Sequence, residues 1–226
     1  MQSQVMAPSC EGAFWDRRYV AEGAIWGEGP SATAAVACRH LAAGARVLDV
    51  GFGYGRDLVF LARRGCRVAG VELSQEGRRM AEERLRREGL WAEALLGGPF
   101  EDASVPGMPF DALLSHRVAH LLVTPESVAR FARRAGAALR SGGLLCVGVR
   151  NRRDLDPGAM TPVGNGVFEY RDRPGHRIRY WDDESFGGAF GDDFTMLLLT
   201  EAVEEECRAR PAPCHLTVMV ARKATG

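Results

Sequence analysis

The run Val47-Leu48-Asp49-Val50-Gly51-Phe52-Gly53-Tyr54-Gly55-Arg56-Asp57 constrains this chain more than any other segment, because a short apolar strand breaks into a glycine-rich turn and a helix follows at once. Alternate glycines let the backbone take conformations closed to other residues and pass close to a ligand. A side chain at Gly51 or Gly53 is expected to fill space that the ligand needs. The turn therefore reads as a seat for a nucleoside cofactor. A turn that only packs helix on strand is the plainer alternative.

Spacing selects among cofactors. The dinucleotide fingerprint G-x-G-x-x-G would need glycine at position 56, which is Arg56 here. Downstream, Cys66-Arg67-Val68-Ala69-Gly70-Val71 reads as a second strand ending at Glu72, followed by Leu73 and Ser74. An acidic residue at that strand tip can accept hydrogen bonds from both hydroxyls of a ribose. With Asp49 two places before the first glycine, the pattern resembles motif I of the seven-stranded class I S-adenosylmethionine-dependent methyltransferases. A sulfonium nucleoside has no pyrophosphate to seat on the helix N-terminus, which agrees with the missing glycine.

The remaining sequence bounds the architecture. A chain of 226 residues suits a single domain, with residues 1–45 as an N-terminal lid and helix and 46–226 as the cofactor-binding part. Lys plus Arg and Asp plus Glu number 29 each, so there is no overall field to draw nucleic acid or an anionic membrane. No basic-then-apolar leader opens the chain and no apolar run is long enough to span a bilayer, so a cytoplasmic protein is expected. The six cysteines show no C-x-x-C pair or metal-ligand spacing, so no metal is expected. Cys66 and Cys146 read as small buried hydrophobes.

Strands are expected at 46–50, 66–71, 92–96, 110–114 and 144–149. Helices should be capped by Ser31 and Ser74 and opened by Pro125-Glu126, the last ended by Ser141-Gly142-Gly143. Alternating strands and helices specify a doubly wound, mostly parallel α/β sheet. After Arg150 about 30 residues rich in Pro, Gly, Asp and Arg read as an irregular insert, before a short helix at Asp182-Asp183-Glu184. The runs 194–200 and 215–221 read as a closing antiparallel pair. From Phe14 to Gly29, aromatics at irregular spacing suggest a lid.

The resemblance covers roughly Phe14 to Lys223, and the lid and insert are similar to small-molecule methyltransferases of the thiopurine and tellurite-resistance type. It implies a seven-stranded Rossmann-like sheet with an antiparallel last strand, S-adenosyl-L-methionine as cofactor and a small-molecule acceptor. Asp49 would hold the methionine end, Gly51, Gly53 and Gly55 would line the cofactor, Glu72 would bind the ribose and Leu73 would meet the adenine. Phe100, Glu101 and Ser115 complete the expected cofactor set. The family's usual aspartate after the third strand falls where this chain has glycine or proline.

Methyl transfer needs alignment and exclusion of water more than covalent machinery. His116, His120 and His176 are the candidate bases, His116 foremost because it follows the fourth strand at the sheet's carboxyl edge. Tyr19 and Trp26 are candidate lid residues over the sulfonium or the substrate, since aromatic faces attract cations. Arg56 and Arg150 are candidate contacts for a carboxylate or an anionic substrate. A non-catalytic cofactor-binding protein is the rival reading, and it entails an occluded or absent acceptor pocket. The acceptor atom and the oligomeric state are not legible.

Overall fold

A computed structural model of the chain describes residues 8–181, 183–190, 193–205 and 213–225. Residues 1–7, Asp182 and most of the connection before the last strand, including Cys207, lie outside the described residues.

The main sheet contains β1 (Arg46–Val50), β2 (Arg67–Glu72), β3 (Ala94–Gly97), β4 (Phe110–His116), β5 (Leu139–Arg150), β9 (Phe194–Glu204) and β10 (Cys214–Lys223). Its order is β3-β2-β1-β4-β5-β10-β9. Strands β1 to β5 run parallel, with Asp49 beside Gly70 and Leu114. The β10 strand is antiparallel to both its neighbours. This is the expected seven-stranded Rossmann-like sheet.

Central parallel strands must bury both faces, which is why β1, β4 and β5 are nearly continuous apolar runs. On one face Val47, Ala112 and Cys146 pack with Ala34 and Ala37 of α2 (Ala32–Ala37), Leu58 and Leu61 of α3 (Arg56–Arg63) and Ala81 of α4 (Gln75–Arg87). On the other, Leu48, Leu113 and Leu145 pack with Val128 and Phe131 of α5 (Pro125–Ala138) and Phe186 of α6 (Asp183–Phe190). Each fully buried side chain of this kind stabilises the fold by about 1.5–3 kcal/mol. Ser31, Ser74 and Thr124 cap α2, α4 and α5 by accepting from the third residue on.

Several sequence readings are refined or corrected. Within the N-terminal segment, residues 8–22 form a helix, α1 (Pro8–Glu22), which supplies the first part of the stretch expected as a lid. Its residues Gly12, Asp16 and Tyr19 form one helical face laid over the start of α4. Asp16 Oδ1 accepts from Ser74 Oγ at 2.5 Å and from the Glu76 amide at 2.9 Å. A Cβ on Gly12 would sit 3.2 Å from the Leu73 carbonyl oxygen.

The insert after β5 is folded as well. It forms a separate antiparallel sheet of β6 (Met160–Gly164), β7 (Val167–Tyr170) and β8 (Arg177–Arg179). Asn165 and Gly166, both at positive φ, turn the first hairpin. Ser141-Gly142-Gly143 does not end α5. That helix passes directly into β5 at Leu139, and Gly142, at φ 71°, lies in an irregularity where pairing with β4 shifts register. Of the two cysteines read as buried, Cys146 is, while Cys66 is only half-buried ahead of β2.

Among the described residues, no helix is long and apolar enough to cross a membrane, and no group of His, Cys, Asp and Glu is placed to hold a metal ion.

Candidate active site

The carboxyl ends of β1, β2 and β4 open into one cavity of about 460 Å³. Its floor is the turn after β1. Gly51, Gly53 and Gly55 all have positive φ, at 75°, 55° and 80°, which side chains strain to adopt. Protein neighbours also demand these glycines. A Cβ on Gly51 would meet Val118 Cγ2, one on Gly53 the Tyr19 hydroxyl and one on Gly55 the Cβ of Ala81. Gly55 thus lets α3 approach α4, and the positions expected to adjoin ligand at Gly51 and Gly53 are covered here by Val118 and Tyr19.

Glu72 lies at the tip of β2 and is buried. Its Oε2 accepts from the Gly53 amide and its Oε1 from the Ser74 amide, each at 2.8 Å. A carboxylate offers about four lone-pair sites, so two remain for a diol. Burial raises its pKa, opposed by the amides of Ser74, Gly53 and Leu73.

Asp49 is 2% exposed, lines the cavity, and has no hydrogen-bond partner at Oδ2 among the described residues. Burial first, then Asp57 and Glu72, push its carboxyl well above the usual range, with Arg56 opposing. A buried, cavity-facing carboxylate without a partner suits a ligand cation. The α-ammonium and sulfonium of S-adenosylmethionine are such cations, and Glu72 offers the acceptors its ribose needs. The residues present fit that cofactor.

Opposite the turn, a buried polar network joins elements far apart in sequence. Arg56 Nη2 donates to Glu204 Oε1 at 3.1 Å and its Nη1 to the Trp26 carbonyl at 2.7 Å. The Ala32 amide donates to Glu204 Oε1 at 2.9 Å. Burial disfavours the charge on Glu204, but His116, Arg56 and the Ala32 amide outweigh it and hold the carboxyl far below its usual range. Burial likewise opposes the charge on Arg56, while Asp57 and Glu204 keep it protonated.

His116 Nδ1 lies 2.8 Å from Thr33 Oγ1 and Nε2 lies 3.1 Å from Arg56 Nη2. A guanidinium nitrogen only donates, so in the neutral ring Nε2 accepts and the proton sits on Nδ1. A second proton at Nε2 would face Glu204 Oε1 at 3.5 Å. Both ring nitrogens therefore point at protein partners, although the residue lines the cavity.

Of the other expected site residues, Leu73, Phe100, Glu101, Tyr19, Trp26 and Arg56 line the cavity. Phe100 packs edge-on to Phe131 with ring centres 5.6 Å apart. Trp15, Tyr19, Trp26 and Tyr54 form an aromatic cluster over the turn, with Trp26 stacked on Tyr54 at 6.3 Å. Burial lifts the Tyr54 hydroxyl to about 12, and Tyr54 donates to the Gly27 carbonyl at 2.7 Å.

Five expected residues do not line the cavity: Gly55, whose place is against Ala81 of α4, and four others. Ser115 is buried in β4 with its hydroxyl unpartnered and does not line the cavity. His120 is buried in a short turn outside the cavity, where burial, then Arg117 and Arg150, keep it neutral. His176 sits between Phe14 and Tyr170, each ring 5.2 Å away. Burial, then Arg173, lowers its pKa to about 4. Arg150 binds Asp154 and the Tyr170 hydroxyl, tying the insert to β5.

Sequence reasoning missed Glu204, Arg117, Thr33 and Asp102. Glu204 belongs to the acidic run Glu201-Ala202-Val203-Glu204-Glu205, where nothing local singles it out. Asp102 lines the cavity next to Glu101.

Residues 47–143 match the model of a family described as "Methyltransferase domain". With the strand order and the Gly51 to Glu72 constellation, this match shows that residues 47–143 form a methyltransferase domain, similar in pattern to the class I S-adenosylmethionine-dependent enzymes. The chain is a methyltransferase with S-adenosyl-L-methionine as its cofactor.

No curated protein matches the sequence significantly. Among solved structures, a 1,6-didemethyltoxoflavin N1-methyltransferase from Burkholderia thailandensis, with 1,6-didemethyltoxoflavin and S-adenosylhomocysteine bound, is 20% identical. It superposes with a TM-score of 0.70 over 99% of this chain and 93% of its own. The CcbJ methyltransferase from Streptomyces caelestis is 18% identical, TM-score 0.70, covering 97% of this chain and 100% of its own. The [4+2]-cyclase SpnF is 17% identical, TM-score 0.73, covering 98% of both. At these identities the likeness establishes the fold, and a cyclase among them illustrates that the scaffold leaves the acceptor chemistry open.

Proposed function

We propose that this enzyme transfers the methyl group of S-adenosylmethionine to a small-molecule acceptor. The observation that carries this is a single cavity of about 460 Å³ holding both the cofactor turn and, across from it, the polar wall of His116, Arg117 and Thr124. That volume is typical of small-ligand sites. An open acceptor wall also argues against the rival reading of a non-catalytic binding protein.

Bound cofactor supplies an electrophilic methyl group. Asp49 holds the amino group, Glu72 the ribose hydroxyls and Leu73 the adenine face, with Phe100, Glu101 and Asp102 at the adenine edge. Trp15, Tyr19 and Trp26 cover the cofactor turn and exclude water, which raises the effective concentration of a correctly oriented acceptor. His116 holds Thr33 and Arg56 in register through its two engaged nitrogens, so it is a positioning residue in this reading. An acceptor that enters already ionised needs no protein base.

The test is transfer of label from methyl-labelled S-adenosylmethionine into separated small-molecule, peptide and nucleic-acid fractions of a cell extract, with Glu72→Ala as control. Label in the small-molecule fraction that disappears with the variant is expected. Label confined to peptide or nucleic acid would overturn the acceptor class.

A further inference from the structure

Arg117 is the cavity's least satisfied cation. It follows β4 with its backbone at φ 59°, a left-handed conformation that a long side chain rarely adopts, fixed by its amide donating to the Gly148 carbonyl at 2.7 Å. Its side chain lines the cavity and is 12% exposed. Nη1 is buried without a hydrogen-bond partner among the described residues. Glu204 Oε2 lies 3.6 Å from Nη1, beyond hydrogen-bond reach, and that carboxylate already accepts from Arg56 and from the Ala32 amide. Two guanidiniums thus converge on one carboxylate, and the second is left over. The Arg117 guanidinium stands 5.5 Å from the Trp26 ring centre, so an aromatic face supports its orientation. Arg130 also lines the cavity, is exposed, and makes no ion pair among the described residues.

We infer that the acceptor is an organic anion whose carboxylate pairs with Arg117 beside Trp26. This rests on the small-molecule methyl-transfer reading above. A planar guanidinium at a cavity wall, its charge only distantly matched by Glu204, meets a carboxylate in geometry and charge through the part of it that the cavity reaches, and a neutral isostere would leave that charge unmatched. Arg117 is therefore a specificity residue on the acceptor side, and Trp26 a surface for the anion's flat body.

The test uses the full chain saturated with S-adenosylhomocysteine, titrated with matched pairs: benzoate and benzamide, salicylate and salicylamide, 2-naphthoate and 2-naphthamide. At least one carboxylate should bind about tenfold or more tightly than its amide, as a charge-assisted hydrogen bond allows. Arg117→Met should abolish that preference and Arg117→Lys restore part of it, while S-adenosylhomocysteine affinity stays within about twofold of wild type. Equal binding within every pair, or a preference that survives Arg117→Met, overturns the inference. So does a parallel loss of S-adenosylhomocysteine affinity in Arg117→Met, which would assign Arg117 to the cofactor and leave methyl transfer standing. Failure of the wild-type chain to bind S-adenosylhomocysteine would instead remove the methyl-transfer reading itself.

Discussion

In the proposed reading Glu72 and Asp49 divide the cofactor between them, and each makes a separate expectation. Glu72 is held by the Gly53 and Ser74 amides, so its removal deletes ribose acceptors and also leaves two buried donors unpaired. Glu72→Ala should weaken S-adenosylhomocysteine binding by about 1.5–3 kcal/mol, the range for a hydrogen bond to a charged group. Wild-type affinity in equilibrium dialysis would contradict the assignment. Asp49 is costly without its ligand, because its pKa is raised by burial and by Asp57 and Glu72. A carboxyl with a higher pKa folded than unfolded costs stability above the unfolded value and nothing well below it. Asp49→Asn should therefore raise the Tm of the free protein near neutral pH, by about 2–4 °C for each kcal/mol relieved. The gain should shrink below about pH 4. An unchanged Tm at neutral pH would contradict the buried-carboxylate account. Function is here held at the expense of stability.

At the scale of elements, the turn after β1 and the docking of α1 do the positioning. Gly51→Ala combines positive φ with contact against Val118 Cγ2 and should cost about 1–3 kcal/mol. Val118→Ala in the same background should recover part of that in urea unfolding, because it removes the clash and leaves the strain. Strictly additive effects would show that the side chains do not meet. Asp16 fastens α1 to the N-terminus of α4, so Asp16→Ala should loosen α1 by about 1–2 kcal/mol, the size of a lost helix cap. Hydrogen exchange should quicken at 14–22 and not in β1, β4 or β5. Uniform exchange would place the effect on global stability instead. These elements were unequally legible. The strands β1, β2 and β4 stood out because both faces are apolar. The face of α1 that meets α4 carries Gly12 and Asp16, and Val20 is 74% exposed, so no apolar stripe announced a helix. In the insert, Asn165-Gly166 between Thr161-Pro162-Val163 and Val167-Phe168 was a hairpin signal, obscured by the surrounding Pro, Gly and charged residues.

For the molecule as a whole, the legible part of the site is the part that is local in sequence. Asp49 to Gly55 and Glu72 are joined by one βαβ unit, whose geometry is common to the class, so spacing alone brought them together. The polar network behind the acceptor wall is different. Thr33, Arg56, His116 and Glu204 meet only because β4 lies beside β1 and β9 closes the far edge through β10. No sequence period links Glu204 to Arg56. His116 was singled out by its place at the strand end, but its two nitrogen partners, Thr33 and Arg56, depend on the tertiary fold. The cofactor half of the cavity is the central claim, and calorimetric titration with S-adenosylhomocysteine in buffers of differing ionisation enthalpy tests it most directly. Across a pH series, binding of the ammonium beside Asp49 should lower that carboxyl's raised pKa and so release protons in the range where the free carboxyl titrates, and Asp49→Asn should bind more weakly with that release abolished. Absence of binding, or binding with the same affinity and proton release in Asp49→Asn, would contradict the assignment of this cavity to S-adenosylmethionine.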